Sequence, residues 1–246
     1  MLKLGVNIDH VATLRQVRYA RSPGAHNEEP SLLAAARECE AAGAHSITIH
    51  LREDRRHIQD RDVHLLRREL RLPLNLELGN TEEIVAIACQ VRPAFVCMVP
   101  ENRQEITTEG GLDVVRLRES VEPTVRRLQA AGAKVSLFID PDPAQVAASA
   151  AVGADMIELH TGAYANETGA AREAELARLL AAGAQGFALG LQINAGHGIT
   201  TENLPPLLAI PHLTELNIGH HIVSRAVFIG LRPAVREMLD AMSRAD

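Results

Sequence analysis

The sequence predicts one α/β domain with the (β/α)8 TIM-barrel fold, covering residues 1–246. The first observation is the length, since 246 residues are enough for one such barrel. The second is a recurring joint, seen in AAGAHSITIHL from Ala41 and AVGADMIELHT from Ala151. Each joint reads as a helix end, a glycine that can take the left-handed conformation, and a short run that favours a strand. Repeated helix-to-strand joints indicate βα units and a parallel sheet.

Eight apolar runs are predicted as strands, and eight segments that follow them as helices. The predicted strands are Leu4–Asp9, Ser46–Leu51, Leu74–Leu78, Phe95–Val99, Val135–Asp140, Met156–His160, Leu191–Asn194 and Leu213–Ile218. The predicted helices are residues 31–42, 61–71, 81–91, 112–131, 143–152, 172–187, 201–209 and 222–243. Pro205 and Pro206 interrupt the seventh helix. An open doubly wound sheet is the alternative, but the glycine-rich dinucleotide turn expected after its first strand is missing from the sequence.

Composition argues against several classes of partner. The formal net charge is −6, and the chain has no Trp, two Tyr and four Phe, which argues against nucleic acid or an anionic membrane. No apolar run approaches the roughly 18 residues of a membrane span, and the N-terminus MLKLGVNIDH does not resemble a secretory signal. Cys39, Cys89 and Cys97 form no CxxC pair, which predicts a reducing, cytoplasmic setting without a thiolate zinc site.

Alternation along the predicted strands places polar side chains on the barrel axis. Side chains alternate with a period of two, so the residues between outward-facing Val, Ile and Leu point inward. The inward polar set is Asn7, Asp9, Thr48, His50, Asn75, Glu77, Glu158, His160, Gln192, Asn194, Glu215 and Asn217. A purely structural barrel fills its axis mainly with Val, Ile and Leu. The sequence therefore predicts an enzyme active site in the mouth of the barrel, although each polar group taken alone could be a satisfied core hydrogen bond.

Three segments that follow predicted strands have the composition of phosphate sites. The turns NAGHGITTEN (194–203) and NIGHHIVSR (217–225) place Gly and His just before a predicted helix. Exposed backbone N–H groups at the positive end of a helix bind phosphate. The run REDRRH (52–57) predicts a second phosphate clamp with arginine donors, the alternative being a solvated loop.

The loop Pro100–Gly111 is predicted to be a lid. It is long, follows the fourth strand on the catalytic face, and ends in Gly110–Gly111, which can act as a hinge. Thr107 and Thr108 can donate hydroxyl hydrogen bonds to a phosphate. The alternative is a loop that is permanently ordered against its neighbours.

Five segments together resemble the pyridoxine 5′-phosphate synthase family of bacterial vitamin B6 biosynthesis. They are GVNIDHVATLRQ (5–16), HLREDRRHIQDRDV (50–63), VPENRQEITTEGGLD (99–113), NAGHGIT (194–200) and NIGHHIVSRAVFIGL (217–231). The resemblance implies a (β/α)8 barrel that condenses 1-deoxy-D-xylulose 5-phosphate with 3-amino-2-oxopropyl phosphate. The product is pyridoxine 5′-phosphate, and phosphate and water are released. It also implies that no metal or organic cofactor is used and that the protein is a homo-oligomer, often an octamer.

The resemblance also implies roles for individual residues. His50 and Glu77 would be proton acceptors, His197 a proton donor, and Glu158 the group that stabilises a transition state. The residues implied for the amino-ketone phosphate are Asn7, Arg18, Gly198, Gly219 and His220. Those implied for the deoxyxylulose phosphate are Asp9, His10, Arg52, His57 and Thr107. The segment Tyr19–Pro30 is longer than the compact link of many members, and His160 and His221 receive no role.

Lysine is nearly missing, with Lys3 and Lys134 against 23 arginines, and both begin predicted strands at the end away from the mouth. An imine intermediate is therefore expected to form between the two substrates rather than on the protein.

Two other classes of function stay open. A metal-dependent barrel hydrolase would use Asp9, His10, His50, His160 and Glu77, but the paired His-x-His typical of such sites is missing from the sequence. A non-catalytic phosphosugar-binding module would need the phosphate loops without the His–Glu–His set.

Overall fold

The predicted barrel is confirmed by a computed structural model, which describes residues 1–101 and 110–243. Within these residues, eight parallel strands close into a barrel in chain order, and the last strand pairs with the first. The strands are β1 (Lys3–Asn7), β2 (Ser46–His50), β3 (Leu74–Leu78), β4 (Phe95–Met98), β5 (Lys134–Ile139), β6 (Met156–His160), β7 (Gln192–Gly196) and β8 (Leu213–Ile218).

The helices form the outer layer, and in the same described residues they differ from the prediction at four places. They are α1 (Asp9–Tyr19), α2 (Leu32–Ala42), α3 (Asp60–Glu69), α4 (Glu82–Val91), α5 (Val114–Ala130), α6 (Pro143–Ala151), α7 (Gly162–Asn166), α8 (Gly169–Ala188), α9 (Leu204–Leu207), α10 (His220–Ile229) and α11 (Leu231–Ser243). Helices α1 and α7 were not predicted. The prolines reduce the predicted helix at 201–209 to α9, and Gly230, with a φ of +86°, divides the predicted helix at 222–243.

The first predicted strand was too long at its C-terminal end. Strand β1 ends at Asn7, because the chain turns there and α1 begins at Asp9. The Asn7 side-chain oxygen accepts a hydrogen bond from the Asp9 backbone N–H at 2.8 Å, and the Val11 N–H donates to the Ile8 carbonyl at 3.1 Å. Asp9 therefore reaches the mouth of the barrel through a helical turn and not through strand alternation.

The two faces of the strands separate as the alternation predicts. Ile47, Ile49 and Leu76 are fully buried in the apolar layer between the barrel and its helices. On the axis, the Asn75 amide donates to the Thr48 hydroxyl at 3.2 Å. The Thr48 hydroxyl donates to the Asn217 side-chain oxygen at 3.1 Å, and the Asn217 amide donates to Glu158 at 2.7 Å. This chain of hydrogen bonds satisfies buried polar groups and ends at a carboxylate that lines the mouth.

Across residues 1–101 and 110–243, no helix is both long enough and apolar enough to pass through a membrane.

Candidate active site

A cavity of about 840 Å³ opens at the C-terminal ends of the strands. This volume lies within the range of roughly 300–1,000 Å³ typical of small-molecule sites. The cavity brings together most of the residues that the sequence singled out. Its lining includes Asn7, Asp9, His10, His50, Arg52, His57, Glu77, Glu158, His197, Gly198, Gly219 and His220.

His50, the last residue of β2, is held on three sides. Its backbone N–H donates to Asp9 Oδ1 at 2.8 Å. Its Nδ1 lies 3.9 Å from Glu77 Oε2, because His50 and Glu77 are directly paired in the β2–β3 register. Its Nε2 lies 3.0 Å from Glu101 Oε1. Two groups suited to accept protons therefore sit side by side, with carboxylates orienting the imidazole ring.

Glu77 and Glu158, two glutamates that line the cavity, have raised pKa values. Burial is the main cause of the raised pKa of Glu77, and the charges of Asp9 and Glu158 add to it. Burial also raises the pKa of Glu158 to about 7, while the hydrogen bond from Asn217 opposes the shift. A carboxyl group that titrates closer to neutral pH exchanges protons more effectively at that pH.

Glu101 is a site residue that the sequence interpretation placed in the lid. Its Oε1 also accepts a hydrogen bond from the Gly79 N–H at 3.0 Å, and its Oε2 accepts one from the Glu53 N–H at 3.1 Å. Burial alone would raise the pKa of Glu101, but the hydrogen bond with His50 and the charge of that ring outweigh it, and the pKa is lowered. In the sequence, the feature that could have identified Glu101 as a site residue was its position three residues after the end of β4. Thr107 and the rest of residues 102–109, the middle of the predicted lid Pro100–Gly111, lie outside the described residues.

Three residues of the run REDRRH line one wall of the cavity, and the role of this run as a second phosphate clamp stays a prediction. Arg52, Arg56 and His57 all line the cavity, and Arg52 is only 2% exposed. His57 Nδ1 accepts a hydrogen bond from the Ile58 N–H at 2.8 Å, so the proton of the neutral ring lies on Nε2. Burial lowers the pKa of His57, which favours this neutral form. The wall therefore offers a guanidinium and an imidazole N–H to an anion.

A second wall of the cavity is built from the turns after β7 and β8. Helix α10 begins at His220 with its N-terminus at the cavity, and Gly219 passes so close to Asn7 that an added Cβ would lie 3.0 Å from the Asn7 Cβ. His220 Nδ1 lies 3.0 Å from His10 Nδ1. Burial is the main cause of the lowered pKa of His10, and the charge of His220 lowers it further. The helix predicted at 201–209 after β7 begins later and is shorter than predicted, because the chain turns at residues 201–203 and α9 has only four residues.

Arg18 is exposed in the last turn of α1, with its guanidinium carbon 5.6 Å from the centre of the Tyr19 ring. Among the described residues, the cavity lining does not include Arg18. Its proposed contact with a substrate phosphate therefore stays a prediction.

Three of the residues considered for a metal hydrolase do converge. Asp9, His50 and Glu77 each offer a ligand atom, and these atoms lie within 4.8 Å of one another. However, Asp9 Oδ1 accepts the His50 N–H, and Asp9 Oδ2 accepts the Asn7 amide at 3.0 Å. His160 is bonded to Asp140 instead, with 2.9 Å between Nδ1 and Oδ1. The contacts of Asp9 favour a role in orienting its neighbours.

Comparison with known proteins identifies close relatives over the whole chain. Residues 4–244 match the family described as "Pyridoxal phosphate biosynthesis protein PdxJ". A protein of Akkermansia muciniphila named pyridoxine 5′-phosphate synthase is 56% identical over 242 residues, covering 98% of each chain. A protein of the same name from Synechococcus sp. is 58% identical, covering 98% of this chain and 99% of its own. Another from Thioalkalivibrio sulfidiphilus is 53% identical, covering 99% of this chain and 97% of its own.

Solved structures with low sequence identity share the barrel fold. Phosphoribosyl anthranilate isomerase from Thermus thermophilus superposes with a TM-score of 0.62 at 14% identity, covering 100% of both chains. The Amycolatopsis orientalis BexX/CysO complex gives a TM-score of 0.65 at 14% identity, covering 100% of this chain and 89% of that one. At this identity the likeness is one of fold alone.

Proposed function

The chain belongs to the PdxJ family of pyridoxal phosphate biosynthesis proteins, and we propose that it catalyses the reaction of a pyridoxine 5′-phosphate synthase. It condenses 1-deoxy-D-xylulose 5-phosphate with 3-amino-2-oxopropyl phosphate to pyridoxine 5′-phosphate, releasing phosphate and water. The observation that carries this proposal is an identity of 53–58% to proteins of that name over nearly the full length of both chains. The cavity supports it with two walls suited to anions and a set of acid–base groups.

The proposed roles follow the positions of these groups. The wall with Arg52 and His57 would bind the phosphate of the deoxyxylulose, as these residues supply cationic and N–H donors. The wall with Gly198, Gly219 and His220 would bind the phosphate of the amino ketone at the N-terminus of α10. His50 and Glu77 would remove protons, His197 would donate one to a leaving group, and Glu158 would stabilise the charge that develops between them.

The ring-forming reaction needs an imine between an amine and a ketone. Lys3 and Lys134, the two lysines of the sequence, are exposed and begin β1 and β5, at the end of the barrel away from the cavity. This supports an imine that joins the two substrates directly. The enclosed cavity would protect that imine from hydrolysis.

The test is turnover of the two substrates in metal-free buffer with a chelator present. We expect pyridoxine 5′-phosphate and inorganic phosphate to form at equal rates, with and without the chelator, because the proposed roles belong to side chains alone. If the chelator abolishes activity and one added metal restores it, the result would instead support a metal-dependent reaction in which Asp9, His50 and Glu77 are the ligands. Binding of both substrates without product would support the non-catalytic binding module.

We also propose that the protein is a homo-oligomer, with the octamer implied by the family resemblance as the expected size. The support is a set of exposed apolar side chains on α1 and α10, whose first turns meet at His10 and His220. Leu14 and Val17 on α1, and Val227 and Phe228 on α10, are 62–82% exposed. Apolar side chains grouped on neighbouring helices mark interaction surfaces.

Light scattering should therefore report an assembly larger than one chain, and Phe228→Glu should reduce its mass. Val115→Glu is the matched control, because Val115 is an exposed apolar residue on α5. A wild-type protein that is monomeric at about the concentration of the activity assay would contradict the proposal.

The free cysteines Cys39, Cys89 and Cys97 support a cytoplasmic location for the enzyme.

A further inference from the structure

His160, at the end of β6, packs against His197 but does not belong to the cavity wall. The ring centroids of His160 and His197 lie 5.1 Å apart with an interplanar angle of 64°. Phe138 packs against both rings, with centroid distances of 5.1 Å to His160 and 6.5 Å to His197. His160 is 6% exposed, and the described cavity lining includes Phe138 and His197 without it. Its ring is therefore placed to act on His197 and not on a bound substrate.

One nitrogen of the His160 ring is anchored and the other is enclosed. Nδ1 lies 2.9 Å from Asp140 Oδ1, and this hydrogen bond is the main reason that the pKa of Asp140 is lowered. Nε2 is buried and has no hydrogen-bond partner in the described part of the chain. A proton on Nε2 would be a buried donor without an acceptor, which is unfavourable. The contacts thus favour a hydrogen bond in which His160 Nδ1 donates its proton to Asp140.

The two residues after His160 also hold His197. The Thr161 hydroxyl lies 2.8 Å from the Gly196 carbonyl oxygen and 2.5 Å from that of His197. A Cβ added to Gly162 would lie 2.3 Å from His160 Nε2 and 3.0 Å from His197 Cδ2. Only a glycine at 162 leaves room for both imidazole rings at this distance.

His197 needs such support because its backbone is strained. Its φ is +81°, in the left-handed region that residues with a side chain rarely adopt, and Gly198 follows with a φ of +74°. Residues in this region keep their conformation only when surrounding contacts enforce it. The contacts that do so here come from the consecutive residues His160, Thr161 and Gly162.

We propose that His160, anchored by Asp140, is a positioning residue for His197. The hydrogen bond to Asp140 fixes the His160 imidazole as a surface against which the His197 ring packs, and Thr161 holds the His197 backbone. The proton donor is thereby aimed at the leaving group before the substrates bind. This inference rests on the proposed function, because that function makes His197 the donor.

A double-mutant cycle tests whether His160 acts through His197. In the wild-type background, His160→Ala should lower kcat by about tenfold or more, with KM for both substrates within about threefold. In a His197→Asn background the same substitution should lower kcat by less than about twofold, because the group that it positions is already gone. His45→Ala is the matched control, since His45 Nδ1 accepts the Leu4 N–H at the start of β1, far from His197 in the barrel. Any loss from this control should be equal in both backgrounds.

Asp140 provides a second series that does not alter the packed rings. Asp140→Asn keeps an acceptor for His160 Nδ1 and should retain most of kcat. Asp140→Ala removes that acceptor and should lower kcat as much as His160→Ala does. This loss should appear only in the background that retains His197. Equal losses from the His160 and Asp140 variants in both backgrounds, or a rise in KM with kcat unchanged, would overturn the inference. If the wild-type protein forms no product, the proposed function fails and the inference fails with it. If the wild type turns over and the cycle is additive, the inference alone is wrong.

Discussion

Glu77→Gln should lower kcat by about 10²–10⁴-fold, the usual contribution of a general acid or base, while KM for both substrates changes by no more than a few fold. Glutamine keeps the size of the side chain and one acceptor oxygen but cannot act as a base at that position. His50→Asn and His197→Asn should have effects of the same order. The measurement is steady-state kinetics with each substrate varied in turn, and near wild-type turnover would remove that residue from the acid–base set.

The pH profile gives the same prediction an independent readout. Burial raises the pKa of Glu77 well above its ordinary value of 4.5 and that of Glu158 to about 7. A base must be ionised to act, so wild-type activity should fall as the pH decreases through these raised values. The decrease in activity at low pH that protonation of Glu77 causes should be missing from the pH profile of Glu77→Gln.

Stability separates loss of chemistry from loss of fold. The folded protein holds the Glu77 proton to a higher pH than the unfolded chain does, so the stability from this group is complete below pH 4.5 and is lost as the pH rises towards the raised pKa. Glutamine removes that cost, so Glu77→Gln should unfold at an equal or higher temperature at neutral pH. Glu215→Gln is the matched control: its carboxylate is also buried on the axis, bonded to the Ser46 hydroxyl, but does not line the cavity. Its turnover should stay within a few fold of wild type.

Arg15→Met should destabilise the protein by about 3–5 kcal/mol, the usual effect of leaving one charge of a buried pair without its partner. Arg15 on α1 donates two hydrogen bonds to Asp62 on α3, at 2.8 and 2.7 Å, and both side chains are at least 94% buried. Arg15 also donates to the His57 carbonyl at 3.2 Å. The substitution should therefore also raise KM for the deoxyxylulose phosphate, because His57 belongs to the proposed phosphate wall. Denaturant unfolding and steady-state kinetics measure the two effects.

Two further variants test the physical reason for this loss. Arg15→Met combined with Asp62→Asn removes both charges of the pair, keeps an acceptor for the Gln59 N–H, and should recover much of the lost stability, because neither charge of this pair is left without its partner. Arg232→Met breaks a pair with the same bidentate geometry to Glu38, but those side chains are about half exposed. It should cost no more than about 1 kcal/mol. Equal losses from Arg15→Met and Arg232→Met would show that burial does not decide the effect.

Strand alternation was enough to predict which side chains point into the barrel. The period of two in Ser46–His50 and Leu74–Leu78 reports local geometry, and the structure accordingly brings His50 and Glu77 to the same edge. The start of α1 could not be predicted in the same way. The segment from Leu4 to Asp9 alternates like a strand, but a hydrogen bond from the Asp9 backbone N–H to the Asn7 side-chain oxygen ends the strand two residues earlier. Local hydrogen bonding of this kind competes with strand geometry and leaves no periodic signal.

The sequence by itself therefore determined the barrel, the inward polar set, the segments that line the cavity and the family. These follow from periodicity, turn composition and long contiguous motifs, which are properties of neighbouring residues. Only the tertiary structure decided which of these groups touch. The contacts between Glu101 and His50, between Asp140 and His160, and between Arg15 and Asp62 join residues 51, 20 and 47 positions apart. Such pairs form only when the closed barrel brings separate strand ends and helices together, so no local pattern in the chain encodes them.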